Sequence, residues 1–475
     1  MDAILRAIRQ EDGASLRRLL AHGHLNAAVA AGSFGGGQQG IQGIQGTAQA
    51  ASRGLGNLPA ARDWVEFVSN YLLGFGVGAG HGGQRQPYEA LLAALTPFLK
   101  LFREDEGDWL VDPMHSVVHA LYHVAEREDG EELRRGKKGT RLVDCGDQLR
   151  KFFSVSLQAP NNPGKKLAAL DIVNVSFKLY FRLNTLRLCK NLIRTVESRQ
   201  FQHFESVRPT LLDCPQPRIP TRSPTCLSSH RMQFPIAQKV TYKFYEGRLA
   251  VFDEHYEEAQ EALTYALTHC HAGSKKNISL ILKYLVPVGL LLGRLPSPNL
   301  AKEYSAVLSP YLPIAGAVRT GNVGAFYQAM QAQRNRLVKD GTLLLLEKLQ
   351  ASVYRRLLRR VYVVHAQMEP TKAAQIPLAM YKQALQVAGI TLDMSEIECT
   401  LQAVRFLLSF FLSFFAGLTS PVASPCRHRR KPDRAKVRQG VHQPQTQGAR
   451  GSQNAAVSIA RFRRPGGRVA WWRRQ

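Results

Sequence analysis

The sequence predicts a mainly α protein, with a tetratricopeptide-like helical-repeat solenoid followed by a C-terminal winged-helix module. From about residue 60 onward, apolar residues recur at helical spacings, which is the period of amphipathic helices. The helical segments come in pairs joined by short turns, for example at 275–293 and 298–337, as in stacked helical hairpins. No convincing strand pattern precedes residue 390.

The N-terminal segment, residues 1–58, is predicted to hold one helix and a flexible linker. Residues 1–22 have the apolar spacing of a short amphipathic helix. Residues 29–57 are rich in Gly, Ala and Gln, and such a stretch buries too little apolar surface to offset the entropy lost on ordering. We therefore expect a linker between the first helix and the helical body.

The helical-repeat domain is predicted over residues 59–340. Within it, residues 166–200 form two helical segments with a break at Asn184. Residues 206–235 hold six prolines and show no periodicity. They are therefore predicted to be a long loop or an insertion in the repeat domain.

Residues 238–270 are predicted to form one helical hairpin of this repeat. Asp253 ends the first helix, and Tyr256 begins the second. Three small residues lie where hairpins of this kind bring their helices close together: Gly247, Ala259 and Ala266. Tyr256 is predicted to fill the wedge between the two helices.

A winged-helix module is predicted over residues 341–405. An amphipathic helix over 341–365 and a second helix precede a short extended piece and a third helix. This order is typical of the winged helix. Asp393 and Ser395 provide the start signal of the third helix. The two-stranded wing that should complete the module is missing from the sequence that follows.

Residues 406–475 are predicted to be a divergent apolar segment and a disordered basic tail. The apolar run from Phe406 to Leu418 has thirteen residues, whereas a helix needs about 20 to span a bilayer, so we expect no membrane insertion. The tail from Arg427 to Gln475 holds fourteen Lys/Arg and one Asp, or +13, so the other 426 residues carry +14 of the total of +27. Such a basic balance indicates an anionic partner.

Two groups of residues have metal-binding chemistry without a complete metal site. The first is a row of histidines on one predicted helix face: His115, His119 and His123. The second lies in the Pro-rich insertion: Cys214, Cys226 and His230. The histidine row has no Cys or acid in register, and the second set matches no common zinc finger. We therefore predict no metal site and expect the histidines to lie on a partly buried helix face.

The remaining motif candidates argue against an enzyme. His269 and His271 approximate the start of a JAMM metalloprotease motif, with Ser279 at its serine position. Leu282 stands where that motif needs an Asp ligand, so the segment is predicted to join two helices. The sequence also lacks GxxxxGK[ST], GxSxG and HExxH motifs. We expect neither catalytic residues nor a cofactor.

The predicted helix over 341–365 gives the strongest binding signal. Its basic residues recur at spacings that place them on part of one helix surface: Lys348, Arg355, Arg356, Arg359 and Arg360. Tyr354 and Tyr362 lie among them and are available for stacking or packing. The other side is a leucine stripe: Leu345, Leu346, Leu349, Leu357 and Leu358. The pattern predicts either phosphate contacts or a solvated face over a buried stripe.

Several long blocks of the sequence resemble the PCI-domain proteins. They include "DIVNVSFKLYFRLNTLRLCKNLIRTVES", "AQKVTYKFYEGRLAVFDEHYEEAQEALTYALTHCH", "LLLLEKLQASVYRRLLRRVY" and "LDMSEIEC", which follow one another in the order of that family. The resemblance covers about 100–205 and 236–404. It is greatest to the PCI-domain subunits of the nuclear transcription-and-export (second TREX) complex. The Pro-rich block and the sequence after Val404 depart from the family pattern.

The resemblance implies a non-enzymatic scaffold subunit at the nuclear pore that couples transcription to mRNA export. It implies two protein partners, a larger PCI-like scaffold subunit and a very small acidic disordered subunit. It also implies that the basic residues of 341–365 lie on a surface that binds RNA or DNA. The alternative is a PCI subunit of a proteasome lid, signalosome or translation-initiation complex that acts only by protein contacts. Seven scattered cysteines without a CxxC pair fit the cytosol or nucleus.

Overall fold

The structure, a computed structural model, describes the following residues: 2–30, 60–76, 87–158, 163–198, 234–372, 375–402, 463–464, 467–468 and 472–474. Within them the chain is almost entirely helical, which confirms the mainly α prediction. The chain divides into two compact units, Met1–Ile281 and Leu282–Gln475. The modules predicted from sequence divide at residue 340 instead. The second unit therefore holds the last helices of the predicted repeat together with the predicted winged helix.

The helices of the first unit are, in chain order, α1 (Asp2–Arg9), α2 (Gly13–Leu20), α3 (His22–Ala30), α4 (Ala61–Gly76), α5 (Pro87–Glu104), α6 (Val111–Arg134), α7 (Arg141–Leu157), α8 (Pro163–Arg182), α9 (Leu186–Ser198), α10 (Ile236–Phe252) and α11 (Tyr256–His269). Helix α12 (Lys275–Leu291) begins in this unit and continues into the second. Helices that follow one another pack together, for example α4 on α5, α7 on α8 and α10 on α11. The predicted break at Asn184 is present, and this residue has a φ of 56°.

The N-terminal segment differs from the single helix predicted over residues 1–22. The chain turns between α1 and α2, where Glu11 has a φ of 51°. Asp12 caps α2, because its Oδ1 accepts a hydrogen bond from the N–H of Ser15 at 3.0 Å. A side chain that binds the backbone ahead of it favours a new helix start over continuation. Linker residues 31–57 lie outside the described part of the chain.

Aromatic side chains form the centre of the core in the first unit. Phe67 of α4, Phe98 of α5 and Phe152 of α7 are fully buried. The ring centroids of Phe67 and Phe98 are 4.9 Å apart, and those of Phe98 and Phe152 are 6.4 Å apart. Aromatic pairs at such distances add stabilisation beyond the area that they bury. Phe98 therefore joins three helices.

A buried lysine joins α5 and α8. Lys165 is 4% exposed, and its Nζ donates hydrogen bonds to the carbonyls of Phe102, at 2.6 Å, and of Asp105. These carbonyls lie at the C-terminal end of α5, where backbone acceptors lack intrahelical donors. The ammonium also lies 5.1 Å from the centroid of the Phe102 ring. Burial lowers the pKa of Lys165, and these contacts offset that cost.

Helices α10 and α11 form the predicted hairpin. Asp253 is the C-cap of α10, and Tyr256 begins α11, which confirms the predicted break. A Cβ at Gly247 would lie 2.8 Å from Cγ of Leu263, so the missing side chain permits the close approach of the two helices. Tyr256 is partly buried at the start of α11, and its predicted place in the wedge between the two helices stays a prediction.

The second unit contains, in chain order, β1 (Arg294–Pro296), α13 (Pro298–Glu303), α14 (Ser305–Leu308), α15 (Tyr311–Thr320), α16 (Val323–Asp340), α17 (Leu343–Glu347), α18 (Leu349–Met368), a 3-10 turn (Pro370–Lys372), α19 (Leu378–Val387), α20 (394–402), β2 (Arg463–Arg464), β3 (Gly467–Arg468) and β4 (Trp472–Arg474). Strand β1 pairs antiparallel with β4, and β2 with β3. Strand β1 is a departure from the prediction, because three residues are too few to show an alternating pattern. Strands β2 to β4 likewise differ from the predicted disordered tail. The apolar run 406–418 lies outside the described residues.

The predicted winged-helix segment has the expected helix order with two differences. The helix predicted over 341–365 is interrupted at Lys348, between α17 and α18. No strand forms at 390–393. Helix α20 starts as predicted, because Oδ1 of Asp393 accepts from the N–H of Glu396 at 2.6 Å and Oε2 of Glu396 accepts from the N–H of Asp393 at 3.0 Å. Residues 403–462, where a wing is expected to begin, lie outside the described residues.

Candidate nucleic-acid interface

The candidate interface is built on α18, where the predicted basic residues fall in two rows. Lys348, Arg355 and Arg359 are seven and four residues apart and therefore share one helix face. Arg356 and Arg360 form the neighbouring row. All five side chains are exposed except that of Arg356, which is partly buried. The structure thus brings the five together on one helical segment but gives the two rows different surroundings.

The second row binds the end of α15. Nε of Arg356 donates to the carbonyl of Arg319 at 3.2 Å, and the guanidinium of Arg360 donates to the carbonyl of Thr320. These carbonyls lie in the last turn of α15, where acceptors lack intrahelical donors and the helix dipole favours cations. Arg356 and Arg360 therefore already have partners within the chain.

Gly321 makes this contact possible. It is the C-cap of α15 and has a φ of 70°, in the left-handed region that favours glycine. A Cβ at this position would lie 2.8 Å from the backbone nitrogen of Leu357, so α15 reaches α18 only because the side chain is missing. The approach also places the exposed Arg319 beside Arg356. Arg319 is absent from the predicted set, since the two arginines are 37 residues apart and their contact is tertiary.

Two members of the first row, Arg355 and Arg359, face solvent. Within the described residues, neither Arg355 nor Arg359 forms an ion pair, whereas Lys283 and Asp340 of the same unit do, at 2.6 Å. Residues 282–402 hold fourteen Lys/Arg and seven Asp/Glu, a net charge of +7. Cations that their own chain does not neutralise are available to phosphate groups.

The two tyrosines of α18 lie in different environments. Tyr354 is 7% exposed, and burial raises its pKa, so this ring packs inside the unit. Tyr362 is 48% exposed and follows Arg355 and Arg359 on the same helix face. Only Tyr362 of the two is thus placed where a base can stack on it.

The leucine stripe of α17 and α18 faces inward. Three of its members are buried: Leu345, Leu346 and Leu349. The other two, Leu357 and Leu358, are partly buried and line a small apolar pocket with Leu385 of α19 and Ile397 of α20. Packing of this kind fixes the rotation of α18, and the basic rows therefore face outward.

The C-terminal half of α18 exposes apolar side chains. Tyr362, Val363, Val364 and Met368 are 44% to 71% exposed. Neighbouring exposed apolar residues are typical of protein–protein contacts. Helix α18 therefore presents a cationic first half and an apolar second half.

Known relatives of the chain show its family. The chain is 32% identical to Enhanced ethylene response protein 5 of Arabidopsis thaliana over 320 residues, which cover 67% of this chain and 70% of that protein. It is 31% identical to PCI domain-containing protein 2 of Danio rerio over 323 residues, which cover 66% of this chain and 72% of that protein. This chain belongs to the PCI-domain family. The Protein CSN12 homolog of Neurospora crassa is a further relative, 31% identical over 349 residues that cover 71% of this chain and 70% of that protein. A scan against family models gives no match.

The histidine row of this PCI-domain protein binds a carboxylate. Nδ1 of His115 and Nε2 of His119 lie 2.8 and 3.1 Å from Oδ2 of Asp171 on α8. Burial alone would raise the pKa of Asp171, but hydrogen bonds from the two histidines outweigh it and hold this pKa well below its usual range. The ring of His123 instead lies 5.2 Å from that of His22. In the described part of the chain, no group of three or more His, Cys, Asp or Glu is arranged to hold a metal ion.

The other candidate motifs have simple places in the PCI-domain protein. His269 is the last residue of α11, and Leu282 is fully buried in α12, so the segment between them joins two helices as predicted. The predicted zinc ligands of the Pro-rich insertion lie outside the described residues: Cys214, Cys226 and His230. Among the described helices, none combines the length and the hydropathy needed to cross a bilayer.

Proposed function

We propose that this PCI-domain protein is a non-enzymatic scaffold subunit of a nuclear mRNA-export complex that couples transcription to export and binds nucleic acid through α18. The observation that carries the proposal is the solvent-facing row of α18. Arg355 and Arg359 are exposed one turn apart and have no carboxylate partner within the described residues. Folding alone does not require such a row, and phosphate groups would neutralise it.

The chemistry of this row favours binding through the nucleic-acid backbone. Arginine presents a planar fork of donors that matches phosphate oxygens. Contacts of this kind position the nucleic acid and carry little sequence information. Tyr362 adds a ring for stacking, which is tolerant of base identity. We therefore expect binding to single-stranded RNA that weakens steeply with salt and depends little on sequence.

The apolar second half of α18 supports the predicted protein partners. A larger PCI-like scaffold subunit would cover Val363, Val364 and Met368, which are at least 44% exposed. A small acidic disordered subunit would be attracted by the net charge of +7 over residues 282–402. Assembly with these subunits would place the chain in the nucleus at the nuclear pore.

The alternative is a PCI subunit of a proteasome lid, signalosome or translation-initiation complex that acts only by protein contacts. Two observations favour it. Arg356 and Arg360 bind the end of α15, and the apolar half of α18 offers a protein surface without any nucleic acid. A relative named Protein CSN12 homolog is consistent with a role in more than one kind of assembly.

Charge reversal of the exposed row tests the nucleic-acid contact. The double variant Arg355→Glu/Arg359→Glu should weaken binding of a fluorescein-labelled single-stranded RNA by at least about tenfold and lower the salt slope by about 2, measured by fluorescence anisotropy at several salt concentrations. The matched control is Arg187→Glu/Arg194→Glu, two exposed arginines of α9 that give the same change in net charge. Equal RNA binding by the two double variants would leave only the protein-contact alternative.

The partner assembly needs a separate experiment. A tagged full chain is purified from nuclear extract, and the co-purifying proteins are identified. Recovery of mRNA-export subunits supports the proposal, whereas recovery of proteasome-lid, signalosome or initiation-factor subunits supports the alternative. The variant Val364→Ser/Met368→Ser, which leaves the charge of α18 unchanged, should lose the larger partner while it keeps RNA binding.

A further inference from the structure

Two histidines join α3 to α6 in the first unit. His22 is the first residue of α3 and His123 lies on α6, and their ring centroids are 5.2 Å apart. The ring of His22 also lies 5.6 Å from that of Phe75 on α4, in an edge-to-face arrangement. Both histidines are partly buried. We call this pair the histidine contact, and it lies where α3 packs on two other helices.

The surroundings of His22 within α3 suit a neutral ring. Nδ2 of Asn26, one turn along the helix, lies 3.1 and 3.3 Å from the two ring nitrogens of His22. An imidazole accepts a hydrogen bond only at a nitrogen that carries no proton, and a charged ring has no such nitrogen. His22 also lies at the start of α3, where the helix dipole disfavours cations. A proton on His22 would therefore remove an acceptor and place a charge at an unfavourable helix end.

The charge that faces His22 from α6 is positive. Burial lowers the pKa of His22, and Arg127 on α6 lowers it further. Helices α2 and α4 also pack on α3, and among their described residues no titratable group shifts this pKa. A proton on His22 would therefore add a second cation near Arg127 at a partly buried position.

His123 is likewise disfavoured as a cation. Burial is the main cause of its lowered pKa. The titratable groups with the largest further effects on this pKa are Lys178 of α8, His22 of α3, and Glu126 and His119 of α6. Among these groups only Glu126 favours a charged ring, and its carboxylate, 3.6 Å from Nδ1 of His123, also pairs with Arg182. Both rings of the histidine contact are therefore neutral at about pH 7 and above.

We propose that the histidine contact is a pH-sensitive switch, which holds α3 on α6 while both rings are neutral and releases it when they bind protons. Two charged rings at this separation would repel each other and the cations of Arg127 and Lys178. Release would place the rings in water and uncover Leu25 of α3, which is 2% exposed while α3 is packed. The switch involves no residue of α18, so the failure of either proposal leaves the other standing.

The direction of the pH dependence follows from the protonation of the two states. In the released state each ring has the ordinary histidine pKa of about 6.5, whereas the pKa of each ring is lowered in the packed state. The released state therefore binds more protons, and acid favours it. Helix α3 is held fully above about pH 6.5, and the contact weakens as the pH falls below that value. Asp171 does not account for such a response, since its stabilisation is lost only below about pH 3.9.

Hydrogen exchange of the full chain, followed by mass spectrometry, measures the release of α3. Division of each observed rate by the intrinsic rate at the same pH gives the opening constant of a segment. Between about pH 7.5 and about pH 5.5 the opening constant of α3 should rise about threefold or more, with a limit of about tenfold for each histidine. The opening constant of the buried helix α8 should not follow it. An unchanged constant for α3, or an equal rise in α8, would overturn the proposal.

A double variant identifies the groups that titrate. His22→Phe/His123→Phe keeps two aromatic rings at the contact and removes both sites of protonation, so the opening constant of α3 should no longer depend on pH. His24→Phe, the same change at an exposed position of the same helix, is the matched control and should respond to pH as the unmodified chain does. A response of the double variant as large as that of the control would show that other groups drive the release, and the proposal would be wrong.

A second pair of substitutions decides if the double variant does not fold, as judged by thermal unfolding at about pH 7.5. Arg127→Gln/Lys178→Gln removes two exposed cations that disfavour charged rings, so the rise in the opening constant of α3 at acid pH should become smaller. Arg134→Gln/Lys151→Gln, at exposed positions of α6 and α7, makes the same change in net charge and should leave the rise as it is. Equal rises in the two double variants would contradict the switch.

Discussion

Helices α6 and α18 differ in how far their polar side chains are buried and paired within the chain. Twelve of the 24 residues of α6 are buried, but only five of the 20 residues of α18 are. The buried polar residues of α6 have partners in the chain. His115 binds Asp171, and Asp129 accepts from the N–H groups of Arg141 and Leu142 at 2.9 Å each. On α18, Arg355 and Arg359 have no such partner within the described residues.

This difference distinguishes the polar contacts that the fold needs for its stability from the exposed residues that stability does not explain. A buried polar group must be paired or it destabilises the fold, so the contacts of α6 are explained by stability alone. An exposed cationic row contributes little to stability, so α18 is explained by stability only on its leucine side and in its bonds to α15. The remainder of α18 is where a binding function is to be sought.

The largest expected effect comes from the aromatic core beside α6. Phe98→Ala should lower the free energy of unfolding by about 3–5 kcal/mol, because a cavity would open between α4, α5 and α7. Tyr362→Ala on the exposed face of α18 should change it by less than about 0.5 kcal/mol. Chemical denaturation measures both, and a similar loss in the two variants would mean that the outer face of α18 is packed.

The next effect concerns the glycine that holds α15 against α18. Gly321→Ala should cost about 1–2 kcal/mol for the left-handed backbone and about 1–3 kcal/mol more for the clash with Leu357. Gly341→Ala is the matched control, since its φ is 69° and a Cβ there would meet nothing within 4 Å. Thermal unfolding should therefore show a larger loss of stability for Gly321→Ala than for Gly341→Ala. An equal loss of stability in the two variants would contradict the close approach of α15 to α18.

A moderate effect is expected from the buried carboxylate of α8. Asp171→Asn should lower the free energy of unfolding by about 1–3 kcal/mol at neutral pH, because it weakens two hydrogen bonds to α6. The folded-state pKa of Asp171 is lowered, so its stabilisation is complete above the unfolded value of about 3.9 and is lost as the pH falls below it. The gap between the two proteins should therefore close under acid, as denaturant titrations at several pH values would show. Asp112→Asn, at a half-exposed ion pair, should give a gap of about 0–1 kcal/mol.

The smallest expected change in the free energy of unfolding distinguishes the two basic rows of α18. Arg356→Gln should cost about 0.5–1 kcal/mol, because it removes a cation that binds the last turn of α15. Arg355→Gln should leave the free energy of unfolding unchanged and instead weaken RNA binding. A stability loss in Arg355→Gln would show that the first row, too, has a structural partner.

Local signals in the sequence were sufficient for much of the helical fold. The breaks at Asn184 and Asp253, the close approach at Gly247 and the start of α20 at Asp393 all depend on residues near one another in the chain. The turn between α1 and α2 was also marked locally, by Asp12, but the apolar spacing across it suggested one helix. The interruption at Lys348 has no such mark in the sequence.

The sequence predicted which basic residues belong to the candidate site but not which partners they have in the fold. The basic residues of α18 are adjacent in sequence, and the helical period places them outward. Their division into two rows depends on α15, whose Arg319 is 37 residues from Arg356. In the same way, the partner of His115 is Asp171, 56 residues away, and no spacing rule identifies it.

The contacts of Lys165 have a consequence for folding during translation. Its ammonium donates a hydrogen bond to the carbonyl of Phe102 at the C-terminal end of α5, and Phe102 lies 63 residues earlier in the chain. On the ribosome, that end of α5 must wait until α8 has emerged. We therefore expect nascent chains stalled before residue 165 to show a frayed end of α5 in hydrogen exchange, and chains long enough for the whole of α8 to have left the ribosome to show it protected.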